Sequence, residues 1–266
     1  MNILREGDAG PDVVELQTRL QAAGFPPGAL DGAFGPGTHA ALLAFQESAS
    51  LLPDGIAGPQ TLAALGVVQA ALPPLTGMPP ITVAMAARMF PGAPEANIAN
   101  HLPIVLNALQ AAGLTATPVV LAALGTIRAE TAGFAPVGEY VSRFNTSSGG
   151  NPFDLYDYRK DLGNRGPTDG ADYRGRGFVQ LTGRDNYVRF GRRVGVPDLA
   201  DNPDKANDPV IAAALLAAFV NAVLIPLRRA LAADDLAAAR RLVNGGTHGL
   251  AAFIDAYRTG QMLLAG

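Results

Sequence analysis

LGTIRAETAGFAPVGEYVSRFNTSS, residues 124–148, carries an apolar helical run up to Glu130, breaks it with Gly133, Pro136 and Gly138, and presents a second acid at Glu139. On one unbroken helix, nine residues make two and a half turns. The two carboxylates would then lie about 13.5 Å apart along the axis and on opposite faces. A helix that ends near Thr131 and a chain that folds back through the Gly/Pro loop bring the second acid toward the first across a cleft instead. The stretch therefore predicts a helical domain with a carboxylate pair at a helix end.

Composition narrows the setting. The chain has 266 residues, 48% hydrophobic and 16% charged, enough for one large domain or for a large and a small one. The run from Ile211 to Leu227 is interrupted by Asn221 and Pro226 and reads as a buried helix, so no stable membrane insertion is expected. The opening MNILREGDAG lacks a basic start followed by an apolar core, so no secretory signal is expected and export by a holin-type or other non-Sec route is implied. Cysteine is absent, which removes disulfides, thiolate metal sites and cysteine nucleophiles. His39, His101 and His248 show no HExxH or close pair that would hold zinc, so neither a metal nor another cofactor is expected. Up to Gly66, Arg5 and Arg19 face seven acids, while basic residues concentrate between Arg128 and Arg193. That distribution suits either a solvated face or attraction to an anionic polymer, and it lacks the aromatic interleaving of a nucleic-acid binder.

Residues 1–66 contain a repeat. Asp31-Gly32-Ala33-Phe34-Gly35-Pro36-Gly37-Thr38 recurs as Asp54-Gly55-Ile56-Ala57-Gly58-Pro59-Gln60-Thr61, each copy a turn leading into a helix start. Before both, Pro11 to Ala23 sets Val13, Val14, Leu16 and Leu20 in an apolar stripe. Three short helices are predicted. Together with Leu4 to Val13, Leu16 to Leu20 and Phe45-Gln46, these motifs resemble the peptidoglycan-binding domain 1 family, a three-helix cell-wall module, over essentially the whole segment. The prolines and glycine of residues 67–80 read as a linker, leaving 81–266 as a second domain. There, helices are expected at Ile81 to Met89, Ala96 to Ala112, Thr117 to Thr131, Arg184 to Val194, Asp208 to Leu224, Arg228 to Leu231, Leu236 to Val243 and Leu250 to Leu264. The polar stretch from Gly149 to Gly177 reads as a long loop region, and the fold class is mainly α.

Cutting a glycosidic bond takes one acid to protonate the leaving oxygen and a second carboxylate as base or nucleophile. Glu130, at the end of an apolar helix, suits the partly buried acid, and Glu139, on a polar loop, suits the ionised partner. From spacing alone, the same pair reads equally well as surface ion-pair partners of Arg128 and Arg143. Asp154, Asp157, Asp169 and Asp172 in the following loops are rivals for the base.

Ala129-Glu130-Thr131-Ala132-Gly133-Phe134, the stretch Tyr173 to Tyr187 with its Gln180-Leu181-Thr182-Gly183, and Arg241-Leu242-Val243-Asn244-Gly245-Gly246 stand in one order along the chain. In that order they resemble the glycoside hydrolase family 19 catalytic domain, the chitinase and phage-endolysin group with a lysozyme-like helical fold. The resemblance implies an inverting mechanism with Glu130 as general acid, Glu139 as general base and Thr182 helping to hold the attacking water. It implies that Gln180, Asn186 and Asn244 bind sugar, and Arg176 and Tyr187 of the same stretch are counted with them. Two departures bear on the base: Glu139 follows the acid by nine residues, as in the shorter endolysin-like members, and Arg128-Ala129 stands where a His usually precedes the acid. The expected activity is endolysin-like cleavage of the β-1,4 glycan of peptidoglycan by a monomer acting at the bacterial cell wall. A chitinase, or a wall-binding protein without turnover, is the alternative.

Overall fold

Helices dominate the computed structural model, which describes residues 4–49, 51, 53, 55–66, 77–244, 246 and 248–265, and the fold is mainly α. The chain divides into two compact units, Met1–Leu72 and Pro73–Gly266. Of the stretch read as a linker, 67–76 lie outside the described residues, as does Asp54 of the second repeat.

In the first unit, α1 (Pro11–Ala22), α2 (Pro36–Ser48) and α3 (Pro59–Ala64) enclose a core of Val13, Leu16, Leu20, Phe34, Leu42, Phe45 and Leu62. Each helix begins with proline, whose missing N–H costs nothing in the first turn. Val14, expected in the apolar stripe, is exposed, and the inward position goes to Gln17. The Gln17 amide accepts from Gly32 N at 2.9 Å and donates to Ala33 O and Thr38 Oγ1, both at 3.1 Å. Gln46 does the same one repeat later, accepting from Gly55 N at 2.9 Å and donating to Ile56 O at 3.0 Å and Thr61 Oγ1 at 3.2 Å. One buried amide thus satisfies the backbone of each turn, where Gly32 and Gly55 take the positive φ that L side chains avoid.

The second unit runs through α4 (Val83–Met89), α5 (Glu95–Ala111) and α6 (Thr117–Thr131), then a two-residue strand β1 (Val137–Gly138). After a loop region with two tight helical turns come α7 (Asp169–Asp172), β2 (Arg176–Gly177), α8 (Arg184–Arg193), α9 (Pro209–Ala222), α10 (Leu224–Ala232), α11 (Leu236–Asn244) and α12 (Leu250–Ala265). Every residue of α6 from Val119 to Ile127 is buried, as its all-round apolarity demands, and α9, α10, α11 and α12 pack against it. α12 lies closest to it, because a Cβ added at Gly125 would stand 3.0 Å from Phe253 Cδ2 and one at Gly260 2.4 Å from Leu121 Cδ2.

One expectation is corrected. The run read as one helix from Asp208 to Leu224 stops at Ala222 and bends by 73° into α10, which carries Pro226 in its first turn, where proline breaks no helical hydrogen bond. Among the described residues no single helix is long and apolar enough to cross a bilayer. Strand pairing, for which the sequence gives only a weak signal, occurs between β1 and β2, antiparallel, with Val137 opposite Gly177 and Gly138 opposite Arg176.

Candidate active site

Glu130 stands in the last turn of α6. Beyond it the chain reverses through a γ-turn of the rare positive-φ kind, with Ala132 at φ 47° and ψ −42° and Gly133 N–H donating to Thr131 O. Phe134 is also left-handed, at φ 53°. Such backbone costs about 1–3 kcal/mol per residue and persists only where the surroundings hold it. Here α5 does so: Asn97 Nδ2 donates to Gly133 O at 2.9 Å, and His101 Nδ1 lies 2.9 Å from Phe134 O. A carbonyl only accepts, so Nδ1 carries the proton. The Phe134 ring is fully buried between Phe90 and Phe178, at 4.6 and 6.2 Å between centroids.

The Glu130 carboxylate accepts from Arg240 Nη2 at 2.6 Å. Arg240 is fully buried and Glu130 is 9% exposed. Nε and Nη2 of Arg240 also donate to His248 O, at 3.0 and 2.8 Å, which fixes the guanidinium, and Nη1 is buried without a partner among the described residues. The partial burial expected of Glu130 is present, but a cation shares it. That cation is Arg240, 110 positions away, and not the neighbouring Arg128.

Glu139 follows β1 directly and is held from both sides. Its backbone N–H donates to Gly175 O at 2.7 Å, and Gly175 N donates back to Oε2 at 3.0 Å. Oε1 accepts from Asn145 Nδ2 and from Tyr156 OH, each at 2.9 Å. Burial, reinforced by the hydrogen bond to Glu139, pushes the Tyr156 phenol up to about 12, so it remains a donor across the physiological range. Three donors aimed at one side chain suit a fixed carboxylate. The pairing with Arg143 is absent; that guanidinium instead lies 4.9 Å above the Phe144 ring.

Gly175 marks where three of the predicted residues, Glu139, Gln180 and Thr182, meet. A Cβ placed there would lie 2.7 Å from Gln180 Oε1, 3.2 Å from Glu139 Oε2 and 3.3 Å from Thr182 Oγ1. Gln180 is held with φ 51° by donating to Val137 O and Gly177 O, at 2.9 and 3.1 Å, and Thr182 Oγ1 donates to Gln180 O at 2.9 Å. Gln180, Thr182 and Asn186 also line a cavity of about 540 Å³ that runs along α8 to Arg189 and Arg193 and is closed by Leu242 and Val243 of α11. Neither acid lines it. Asn244 ends α11, and its side chain lies outside the described part of the chain.

Arg176 and Tyr187 are corrected. Both are buried, at 2% and 0% exposure, so neither can touch a polymer. Arg176 donates to Asp204 Oδ1 at 2.9 Å, Asp172 O at 2.8 Å and Tyr187 OH at 2.9 Å, while Tyr187 OH donates to Arg174 O at 2.8 Å. They frame the stretch that carries Gly175 and Gln180. The rival acids are pegs of the loops. Asp154 accepts from Ser147 N at 2.7 Å and from Ser147 Oγ, which hold its carboxyl below the usual range. Asp157 accepts from Gly170 N at 2.8 Å, and Asp172 from Thr168 Oγ1 at 3.0 Å. Asp169, buried, pairs with Arg184 and is lowered chiefly by that bond. Asn145 and Tyr156 were not legible as partners of Glu139; the only signal was a polar side chain in a loop too long to be idle.

Residues 9–65 match the model of the family described as "Putative peptidoglycan binding domain". Among curated proteins, the spore cortex-lytic enzyme of Bacillus cereus is 49% identical over 59 residues, 22% of this chain and 23% of that protein. N-acetylmuramoyl-L-alanine amidase CwlM of Mycobacterium tuberculosis is 52% identical over 56 residues, 21% of this chain and 14% of that protein. The matched part thus spans under a quarter of the length of these relatives. Among solved structures, a mutant of chitinase C aligns at a TM-score of 0.50 with 22% identity, over 70% of this chain and 76% of that one, a likeness of fold.

Proposed function

We propose that this chain is a peptidoglycan hydrolase in which residues 1–66 bind the cell wall, 67–80 link, and 81–266 cut the β-1,4 glycan backbone by a single, inverting displacement. The observation that carries the reading is the convergence of Glu139, Gln180 and Thr182 beside Gly175, with the carboxylate held by three donors. In this mechanism Glu130 is the general acid. Arg240 approaches Oε1, leaving Oε2 to deliver the proton to the leaving glycosidic oxygen. Glu139 takes a proton from water positioned by Thr182, and that water attacks the anomeric carbon from the face opposite the leaving group. Gln180, Asn186 and Asn244 bind the sugar, while Arg176 and Tyr187 support the stretch from within. An inverting enzyme needs its two carboxylates roughly 6.5–9.5 Å apart to admit that water.

A wall-binding segment raises the local concentration of substrate for whatever it is joined to, which favours peptidoglycan over chitin. Chitinase activity is the second reading, favoured by the fold shared with the chitinase C mutant. The test is digestion of purified peptidoglycan and of chitin oligomers, followed by reducing-end assay and by NMR of the newly formed anomer. Reducing ends from peptidoglycan, with the α-anomer first, are expected. Release of peptide amines without reducing ends, or the β-anomer first, overturns the mechanism.

A further inference from the structure

The cavity that begins at Gln180 and Thr182 is not neutral at its far end. Asn186, Arg189, Phe190 and Arg193 follow one another along α8 at the i, i+3, i+4, i+7 spacing that gives one helix face, and all four line the cavity. Arg189 and Arg193 both lie over the Phe190 ring, at 4.7 and 5.4 Å from its centroid. That ring is buried and stacked on Phe219, with centroids 4.1 Å apart. The two guanidinium groups are therefore pre-organised on a rigid aromatic plate.

Among the described residues, neither arginine has a carboxylate within ion-pair distance, unlike Arg176 and Arg184 on the same stretch, which pair with Asp204 and Asp169. Arg192, the third cation of this helix end, is likewise unpaired there. The helix dipole accounts for cations in the last turn of α8, but Arg189 lies a turn earlier and donates to Asn186 Oδ1 at 2.7 Å, within the row that reaches the cleft. Like charges gathered without a counter-ion repel one another, and an anion in the cavity relieves that repulsion.

We propose that Arg189 and Arg193 form an anion-binding extension of the glycan cleft that takes a carboxylate of the stem peptide on a peptidoglycan strand. The inference rests on the proposed glycan-cutting function and deepens it by naming what separates peptidoglycan from an uncharged N-acetylglucosamine polymer at this site. Gln180 and Asn186 hold the sugar, while the bidentate forks beyond them hold the charge that hangs from it.

The test is calorimetric binding to the full-length chain carrying Glu130→Gln, so that ligands persist, with and without Arg189→Gln and Arg193→Gln together. The probes are a soluble peptidoglycan tetrasaccharide bearing stem peptides and an N-acetylglucosamine tetramer. Loss of two charge-assisted contacts predicts affinity for the peptide-bearing probe about tenfold weaker or more, and less sensitive to salt. The neutral tetramer should bind as before. Because both arginines are exposed, the fold should survive, which a thermal melt checks. An unchanged affinity for the peptide-bearing probe, or an equal loss for both probes, overturns the proposal. Binding is read without turnover, so a chain that cuts no glycan fails the functional reading without deciding this one.

Discussion

Gly175 has no room for a side chain while Glu139, Gln180 and Thr182 stay where they are. The nearest obstacle is the flexible end of Gln180, so Gly175→Ala should fold with a melting temperature close to wild type. It should nevertheless lose most of its activity, because the added methyl displaces the groups proposed to place water and sugar. A large drop in melting temperature with activity per folded molecule intact would assign Gly175 to stability alone. Tyr156→Phe is the gentler probe. It removes one donor to Glu139 Oε1 and leaves Asn145 and Gly175 N in place, so kcat should fall about tenfold with KM nearly unchanged, as steady-state kinetics on soluble glycan would report. Gly175 stands in a stretch whose two glycines read as places where backbone could approach a ligand, whereas a tyrosine 17 positions beyond the acid reads as loop filler. The roles proposed for Glu130 and Gln180 come from the dense motifs in which they stand. Arg240 was not legible, because an ion pair spanning 110 positions exists only once α6 and α11 have folded.

The element that links the two acids is the turn from Thr131 to Val137, and its conformation is imposed by α5. His101 is the sensitive contact. Burial holds its imidazole below the ordinary value of 6.5, so the folded state takes up fewer protons than the unfolded chain once the pH drops under about 6.5. Its contribution is therefore complete above that pH and is lost as pH falls toward the folded-state value. His101→Gln keeps an amide donor for Phe134 O and removes the titration. Denaturant melts should then show wild type losing stability relative to the variant between about pH 7 and pH 5, whereas parallel curves would mean the imidazole charges without penalty. At this scale the sequence was most readable. Proline in the first turn of α1 and α6, and apolar periodicity in all three, set the bounds of α1, α6 and α11 to within a residue. What escaped was the bend at Val223, inside a mostly apolar run whose Asn221 and Pro226 do not by themselves fix where the helix stops, and the β1–β2 pair, too short for alternation to register. Gln17 and Gln46 escaped for a related reason. A polar residue next to a core position does not announce that its amide will close a turn on another part of the chain.

For the whole molecule, the division into two units pairs a segment matching a wall-binding family with a larger helical unit. Deleting residues 1–66 should weaken action on insoluble wall by an order of magnitude or more while sparing soluble fragments, because the tether acts only through local concentration. Equal loss on both substrates, measured by turbidity clearing and by fragment assay, would make the segment a structural part of the enzyme. The central claim is that Glu130 is the proton donor of a glycan-cutting site. It is tested most directly by reducing-end release from purified peptidoglycan by wild type and Glu130→Gln, with pelleting on the same wall as the control. The substitution, which removes the proton and little volume, should abolish release while wall pelleting and the melting temperature stay near wild type. Release at more than a small fraction of the wild-type rate would contradict the claim and place the acid elsewhere.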